Sequence, residues 1–128
     1  MEQLCRFIRS RGHFSPENER VKPAALLPMF NDQTLRYETS VFYTDNLSGD
    51  EIWQLGRVHI DSSAIKARAD FKDAVITENS LHVDFNNSPE RHADIINWPD
   101  KKDEQKLVAL KIAPKCSLQI IPVDTPSI

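Results

Sequence analysis

Hydrophobic and polar positions alternate through the middle of the chain. Val58 and Ile60 alternate with Arg57, His59 and Asp61. Ile65, Ala67, Ala69 and Phe71 alternate with Lys66, Arg68, Asp70 and Lys72, and Leu81, Val83 and Phe85 with His82, Asp84 and Asn86. A period of two puts every second side chain on the same face, so these stretches predict antiparallel strands with one packed and one wet face. The run YETSVFYT at 37–44 is β-branched and aromatic and predicts another strand. Residues 3–9 predict a first strand, with a short helix as the alternative. Glu78-Asn79-Ser80, between Val75-Ile76-Thr77 and Leu81, predicts a hairpin turn.

Three segments carry helix signals. Ser48 and Glu51 form a capping-box pattern, and Leu47 and Ile52 a hydrophobic staple. Gly56 then fits the left-handed residue that ends a helix, giving about two turns with Ile52 and Leu55 facing inward. Ser88-Pro89-Glu90 predicts a second start, running to Ile95 or Ile96 and stopping before Trp98-Pro99. Asp100 is placed to cap a third helix reaching about Ala113, with Leu107, Val108, Leu110 and Ile112 as its apolar side and Pro114 as its stop. Leu118, Ile120 and Ile121 suggest a final strand. Region 10–36, with Pro16, Pro23 and Pro28, predicts loops and short turns. The sum is an α+β fold: a mainly antiparallel sheet with two or three short helices packed on one face, one domain over 1–128.

Composition narrows the class. The chain has 128 residues, 40% hydrophobic and 27% charged, with a net charge of −3. That balance belongs to a globular domain, and it does not suggest a basic face for duplex DNA. No run approaches the roughly 18 apolar residues of a membrane span. The N-terminus carries Arg6, Arg9 and Arg11 where a signal peptide would be apolar, so a cytoplasmic location is expected. Cys5 and Cys116 are too few for a zinc or disulfide framework and read as reduced thiols, one long-loop disulfide being the alternative. The three glycines, Gly12, Gly49 and Gly56, exclude a dinucleotide-binding turn, a P-loop and a nucleophile elbow. Gly12 alone lacks a structural role in this reading, which draws attention to the loop it opens.

The candidate chemistry rests on histidine and arginine. His13 follows Gly12 in a proline-rich loop, and His92 follows Arg91. Two histidines and an arginine are what metal-independent phosphodiester cleavage requires: a base, an acid and a cation for the developing charge. Arg20 and Lys22 could add substrate-binding cations. His59 and His82 fall on the polar phase of strands and read as exposed. His82/Asp84 and His92/Asp94 offer paired ligands, but no third, so neither a metal nor a cofactor is expected. Thr39, Ser40 and Thr44 have no base partner nearby in sequence and read as strand formers. Cys5, among apolar neighbours, reads as an inert thiol. Residues 6–22 interleave Arg6, Arg9, Arg11, Arg20 and Lys22 with Phe7 and Phe14, a pattern that suits single-stranded nucleic acid. Trp53 and Trp98 are candidate interface anchors. The leading expectation is a protein-binding accessory or regulatory subunit of a larger assembly. The alternative is a cofactor-independent enzyme of phosphoester, nucleotide or RNA processing that uses His13, Arg91 and His92.

Overall fold

The first strand expected from sequence, β1 (Gln3–Ile8), lies near the middle of a seven-stranded antiparallel sheet in the computed structural model, which describes residues 1–60 and 64–122. The chain continues through β2 (Phe14–Ser15), β3 (Arg20–Val21), β4 (Met29–Asn31) and β5 (Arg36–Tyr43) to helix α1 (Gly49–His59). It then forms β6 (Ala67–Lys72), α2 (Asp73–Glu78), β7 (His82–Phe85), β8 (His92–Ile96), α3 (Lys102–Ile112) and β9 (Ser117–Ile120). The sheet order is β7-β8-β5-β1-β6-β9, with β4 added to β5, while β2 and β3 form a separate hairpin. The α+β class and the antiparallel pairing are as the alternation implied.

β1 is buried on both faces. Leu4 and Ile8 join a core with Val41, Tyr43, Ile76, Ala109 and Ile112, which brings in α2 and α3. Cys5 and Phe7 join a second core with Phe42, Ile52, Trp53 and Ile65, which brings in α1. The helices therefore divide between the two faces rather than sharing one. Each fully buried aliphatic or aromatic side chain contributes about 1.5–3 kcal/mol, so both cores weigh in the stability. Region 10–36 holds β2, β3, β4 and two short 3-10 turns, Arg11–His13 and Pro23–Leu26, and its Phe14, Val21, Ala25 and Leu26 plug the first core.

Several local expectations give way to packing. The capping box of α1 forms: Ser48 Oγ accepts from the Glu51 N–H at 3.2 Å and Glu51 Oε1 from the Ser48 N–H at 2.9 Å. Gly56 does not end the helix. It lies buried in its interior, and a Cβ there would stand 2.7 Å from Phe7 Cε1, so glycine serves the close approach of α1 to β1. Val58 and His59 consequently belong to α1, and Asp61, at the end of that alternating stretch, lies outside the described residues. Val75, Ile76 and Thr77 are helical because Ile76 is drawn fully into the core, and the reversal at Asn79-Ser80 joins a helix to a strand. Residues 92–96 form a strand, not a helix: Ala93 and Ile95 are buried by alternation, and this period of two overrides the Ser88-Pro89 start signal. In α3 the buried residues are Gln105, Ala109 and Ile112, while Leu107 and Leu110 are exposed. Asp100 precedes the helix without capping it, the N-cap being Lys101.

Gly56→Ala tests the close approach. Alanine is the better helix former by ~1 kcal/mol, but overpacking against Phe7 costs about 1–3 kcal/mol. The expected result is a lower urea midpoint; a raised midpoint would show that the α1–β1 contact yields freely.

Candidate functional site

The register of β5 against β8 decides which polar groups meet. Ser40 lies opposite Asp94 and Phe42 opposite His92, while Asp84 of β7 lies opposite Asp94 on the other side. The even-numbered residues of these strands share one face. α1 packs on that face over Cys5, Phe7 and Phe42. Beyond Phe42 the same face carries the polar residues Glu38, Ser40, His92, Asp94 and Asp84.

Its central element is a chain of hydrogen bonds. Ser40 Oγ is 2.6 Å from His92 Nε2, His92 Nδ1 is 2.8 Å from Asn86 Oδ1, and Asn86 Nδ2 donates to Asp94 Oδ2 at 2.9 Å. Proton positions follow from chemistry. Asn86 Oδ1 also accepts from the Ser88 N–H at 3.2 Å, and Asp94 accepts from Asn86 Nδ2, so both ends of the amide are assigned by independent partners. A carbonyl oxygen only accepts, so His92 Nδ1 carries the hydrogen. In the neutral imidazole Nε2 is then a lone pair, and Ser40 donates to it. A hydroxyl bonded to a base, with the base oriented by a third group, is the arrangement that activates a nucleophile. Asp94 is mostly buried. Burial, with Glu38 and Asp84 nearby, holds its carboxyl above the usual range against the opposing pull of His92 and Arg36.

A second network stiffens the flank. Glu38 accepts from Asn31 Nδ2 at 2.7 Å and from Arg36 Nε, and Arg36 reaches on to Asp84 Oδ2 at 2.8 Å. Burial raises the Glu38 carboxyl, but the hydrogen bonds from Arg36, Asn31 and Thr34 outweigh it and hold the group below its ordinary value.

Arg6 borders the site from β1. β1 pairs with Phe42 and Tyr43 of β5, and β4 pairs with residues 36–38, so Ser40 falls between the two pairings. Arg6 fills this interval: its NH1 donates to the Ser40 carbonyl at 2.8 Å and its Nε to the Ala25 carbonyl at 2.6 Å. Burial, and the like charge of Arg9, lower its pKa to about 10. Two clefts meet here and share Arg6, Arg9 and Ser40. The larger, about 500 Å³, continues along β4 past Met29, Asn31 and Gln33, and the smaller, about 280 Å³, runs to Phe42, His59 and Ile60.

The residues singled out from sequence are dispersed. His92 is in the site. Arg91 is its neighbour, but its NH1 donates to the carbonyls of Tyr43 and Asp45, tying the end of β5 to the start of β8. His13 lies in the turn after β1. His92 is level with Phe42 and Phe42 with Cys5, and the strand runs on to Ile8 before the chain reaches His13. Cys5 and His92 are thus two strand spacings, roughly 10 Å, apart, and Ile8 lies roughly 10 Å further along β1 before the chain turns to His13. Gly12 has no positive φ, and its N–H donates to Ser10 Oγ, the N-cap of the 3-10 turn, so no conformation special to glycine is held there. Arg20 and Lys22 line a separate cavity of about 420 Å³ with Leu110 and Pro114.

Trp53 and Trp98 are both 6% exposed, so they are core residues rather than interface anchors. The Arg68 guanidinium lies 4.5 Å over the Trp53 ring, and the Trp98 indole donates to the Ile95 carbonyl. Phe7 and Phe14 are buried and offer no stacking surface beside the arginines of 6–22. Cys5 and Cys116 are free; burial, with Asp70, pushes the Cys116 thiol up to about 12 and Cys5 further still. Among the described residues no three metal-ligating side chains converge.

Ser40 is the residue the sequence reading passed over. Its base lies 52 positions away, and the one sequence signal that points to it is the alternation His92-Ala93-Asp94-Ile95, which places His92 and Asp94 on one strand face. Comparison with family models, with curated proteins and with solved structures found no match.

The tautomer of His92 is a direct check on this geometry. Long-range proton–nitrogen correlation spectra should show hydrogen on Nδ1 of the neutral ring, and Asn86→Ala should release the ring to a tautomer mixture. Hydrogen on Nε2 in the unaltered protein would mean that Ser40 does not face a base.

Proposed function

We propose that the protein is a cofactor-independent enzyme that cleaves an ester bond through a covalent intermediate on Ser40. The observation that carries this reading is the Ser40–His92–Asn86 chain, with both of its contacts within hydrogen-bond distance. Ser40 Oγ would form the new bond to the ester's central atom while its proton passes to His92 Nε2. The bond to the leaving alkoxide breaks, and the imidazolium returns the proton to that oxygen. Water then repeats the sequence, giving its proton to His92, releasing the acid and restoring the Ser40 hydroxyl. Asn86 acts as a positioning residue that holds the ring through Nδ1, and Asp94 holds Asn86 while its Oδ1, 3.8 Å from His92 Nε2, would favour the imidazolium. The reading takes up the phosphoester alternative expected from sequence, keeps His92 of the His13, Arg91 and His92 set, and adds Ser40 as a nucleophile. A cytoplasmic setting suits the two free thiols.

An uncharged fluorophosphonate tests it, because such a reagent phosphonylates serines that a neighbouring base activates. Peptide mapping by mass spectrometry should find the adduct on Ser40, absent in Ser40→Ala and at least about a hundredfold slower in His92→Ala, the lower end of what general-base catalysis contributes. Equal labelling of the unaltered protein and His92→Ala would remove the proposal.

One observation favours a second reading, the protein-binding subunit. Met29 is 76% exposed, Phe30 49% and Leu35 74%, all on the β4–β5 hairpin, and Leu35 holds φ at 58°. A bulky residue in the left-handed region is disfavoured locally, and here its side chain packs on nothing that would compensate. If this hairpin docks a partner protein, a stoichiometric partner should co-purify with the tagged chain and be lost from Phe30→Ser. A partner-free preparation sets this second reading aside.

A further inference from the structure

Beside Ser40 the structure holds two positive charges that no acid neutralises. Among the described residues neither Arg6 nor Arg9 has a carboxylate within ion-pair distance, whereas Arg36 and Arg68 each do. Arg6 spends two of its nitrogens on backbone carbonyls, which fix the guanidinium plane and leave its third nitrogen without an acceptor among the described residues. Placing a second arginine beside it adds like-charge repulsion, seen in the lowering of the Arg6 pKa by burial and by Arg9. Two guanidinium groups at the mouth of one cleft, one of them held in place, form a fork suited to an oxyanion.

The two clefts differ in charge. The larger also carries Asp32, Glu38 and Asp94. Glu38 is already engaged by Arg36 and Asn31, and Asp94 by Asn86, but their charges still disfavour an anion on that side. The smaller carries Arg6, Arg9 and His59 with Phe7, Phe42 and Ile60 and, among the described residues, no acid lines it. The His59 ring lies nearly parallel on Phe42, with centroids 5.8 Å apart and planes at 15°, and gives this cleft an aromatic wall.

We infer that the substrate of Ser40 is a phosphate ester with an aromatic or heteroaromatic body, its phosphoryl group held by Arg6 and Arg9 and its ring laid against the exposed His59 imidazole, which the buried Phe42 backs. This rests on the ester-cleaving reading above and specifies it. Ser40 lines the same cleft as Arg6 and Arg9, and Arg6 donates to its backbone carbonyl, so a group held by the two arginines lies within the cleft that Ser40 borders. The reacting centre is therefore anionic, which fits phosphorus rather than the neutral carbon of a carboxylic ester. Ser40 Oγ would bond to phosphorus and pass its proton to His92. The ester oxygen departs with that proton, and water then releases inorganic phosphate from phosphoserine 40. The arginines take up charge on the phosphoryl oxygens throughout.

Phenyl phosphate is a sufficient probe, with benzoate as the carboxylate control and phenol as the uncharged one. In the full chain, phenyl phosphate should protect Ser40 from the uncharged fluorophosphonate, while phenol and benzoate at the same concentration should not. The measure is the ratio of labelling rates with and without the compound within each protein. Arg9 is exposed, so Arg9→Gln should keep the unfolding temperature of the parent, and calorimetric affinity for phenyl phosphate should fall at least about tenfold in it, with protection lost. Equal protection by benzoate would make the site a general anion site and overturn the phosphate assignment. Unchanged affinity in Arg9→Gln would overturn the arginine fork. If Ser40 is never labelled yet phenyl phosphate binds through Arg9, the anion site stands and the ester-cleaving reading alone fails.

Discussion

Burial of β1 on both faces organises the molecule. Leu4 and Ile8 lock α2 and α3 to one side, and Cys5 and Phe7 lock α1 to the other. A strand so enclosed cannot slip by one residue without exchanging its two hydrophobic sets, and both sets have complementary surfaces to fit. The register of β1 sets that of β5 through Leu4–Tyr43 and Cys5–Phe42, and β5 in turn fixes β8 and then β7. The positions of Ser40, His92, Asn86 and Asp94 are consequences of this sequence of pairings. Two contacts around the second core follow from the same constraint: a glycine where α1 meets Phe7, and a guanidinium lying over Trp53.

α1 is short, and that shortness creates the site. Its eleven residues pack over β1 and the end of β5 and meet β6 through Arg68. Beyond that cover the sheet face must satisfy itself with polar side chains. It does so through two networks, one centred on Glu38 and Arg36 and the other on His92 and Asn86. Asp84 and Asp94 face each other across β7 and β8, a repulsive pairing, and each is given its own partner: Arg36 for Asp84 and Asn86 for Asp94. Arg6 solves a separate backbone problem, supplying donors to two carbonyls where β1 and β4 leave an interval along β5. The cation that repairs the sheet therefore also lines the clefts that Ser40 borders.

The elements that were legible in the sequence are those decided within a few residues. The capping box at Ser48 and Glu51 needs one turn of backbone, and it forms as the pattern required. The alternating stretches at Ala67–Lys72 and His82–Phe85 are strands because alternation itself encodes a two-faced environment. The misread elements failed where local preference and distant packing disagreed. Val75-Ile76-Thr77 has strand-forming side chains, but Ile76 is drawn into a core whose other members lie far away in sequence. Ser88-Pro89 resembles a helix start, yet the following residues pair with β5 and β7. Leu107 and Leu110 look like the apolar side of α3, but the face that docks carries Gln105, Ala109 and Ile112, because a close helix contact prefers the smaller Ala109. Trp53 and Trp98 illustrate the same limit: tryptophan type says that contact matters, not whether the contact is internal.

What the sequence by itself determined is the class of object: an α+β domain with alternating strands, a capped first helix and an irregular segment at 10–36. Periodicity and capping are short-range, and they survive whatever the rest of the chain does. What only the tertiary structure decided is which side chains meet. His92 was visible as a candidate, but its partners were not. Ser40 lies 52 residues before it and Asn86 six, and their convergence requires the β5–β8 and β7–β8 registers together. Arg6 and Arg9 likewise replace Arg91 at the site, since Arg91 is consumed by the carbonyls of Tyr43 and Asp45. Hydrogen bonds of this kind act over about 3 Å, a distance that the linear order of the residues does not specify and that the packing of both faces of β1 does.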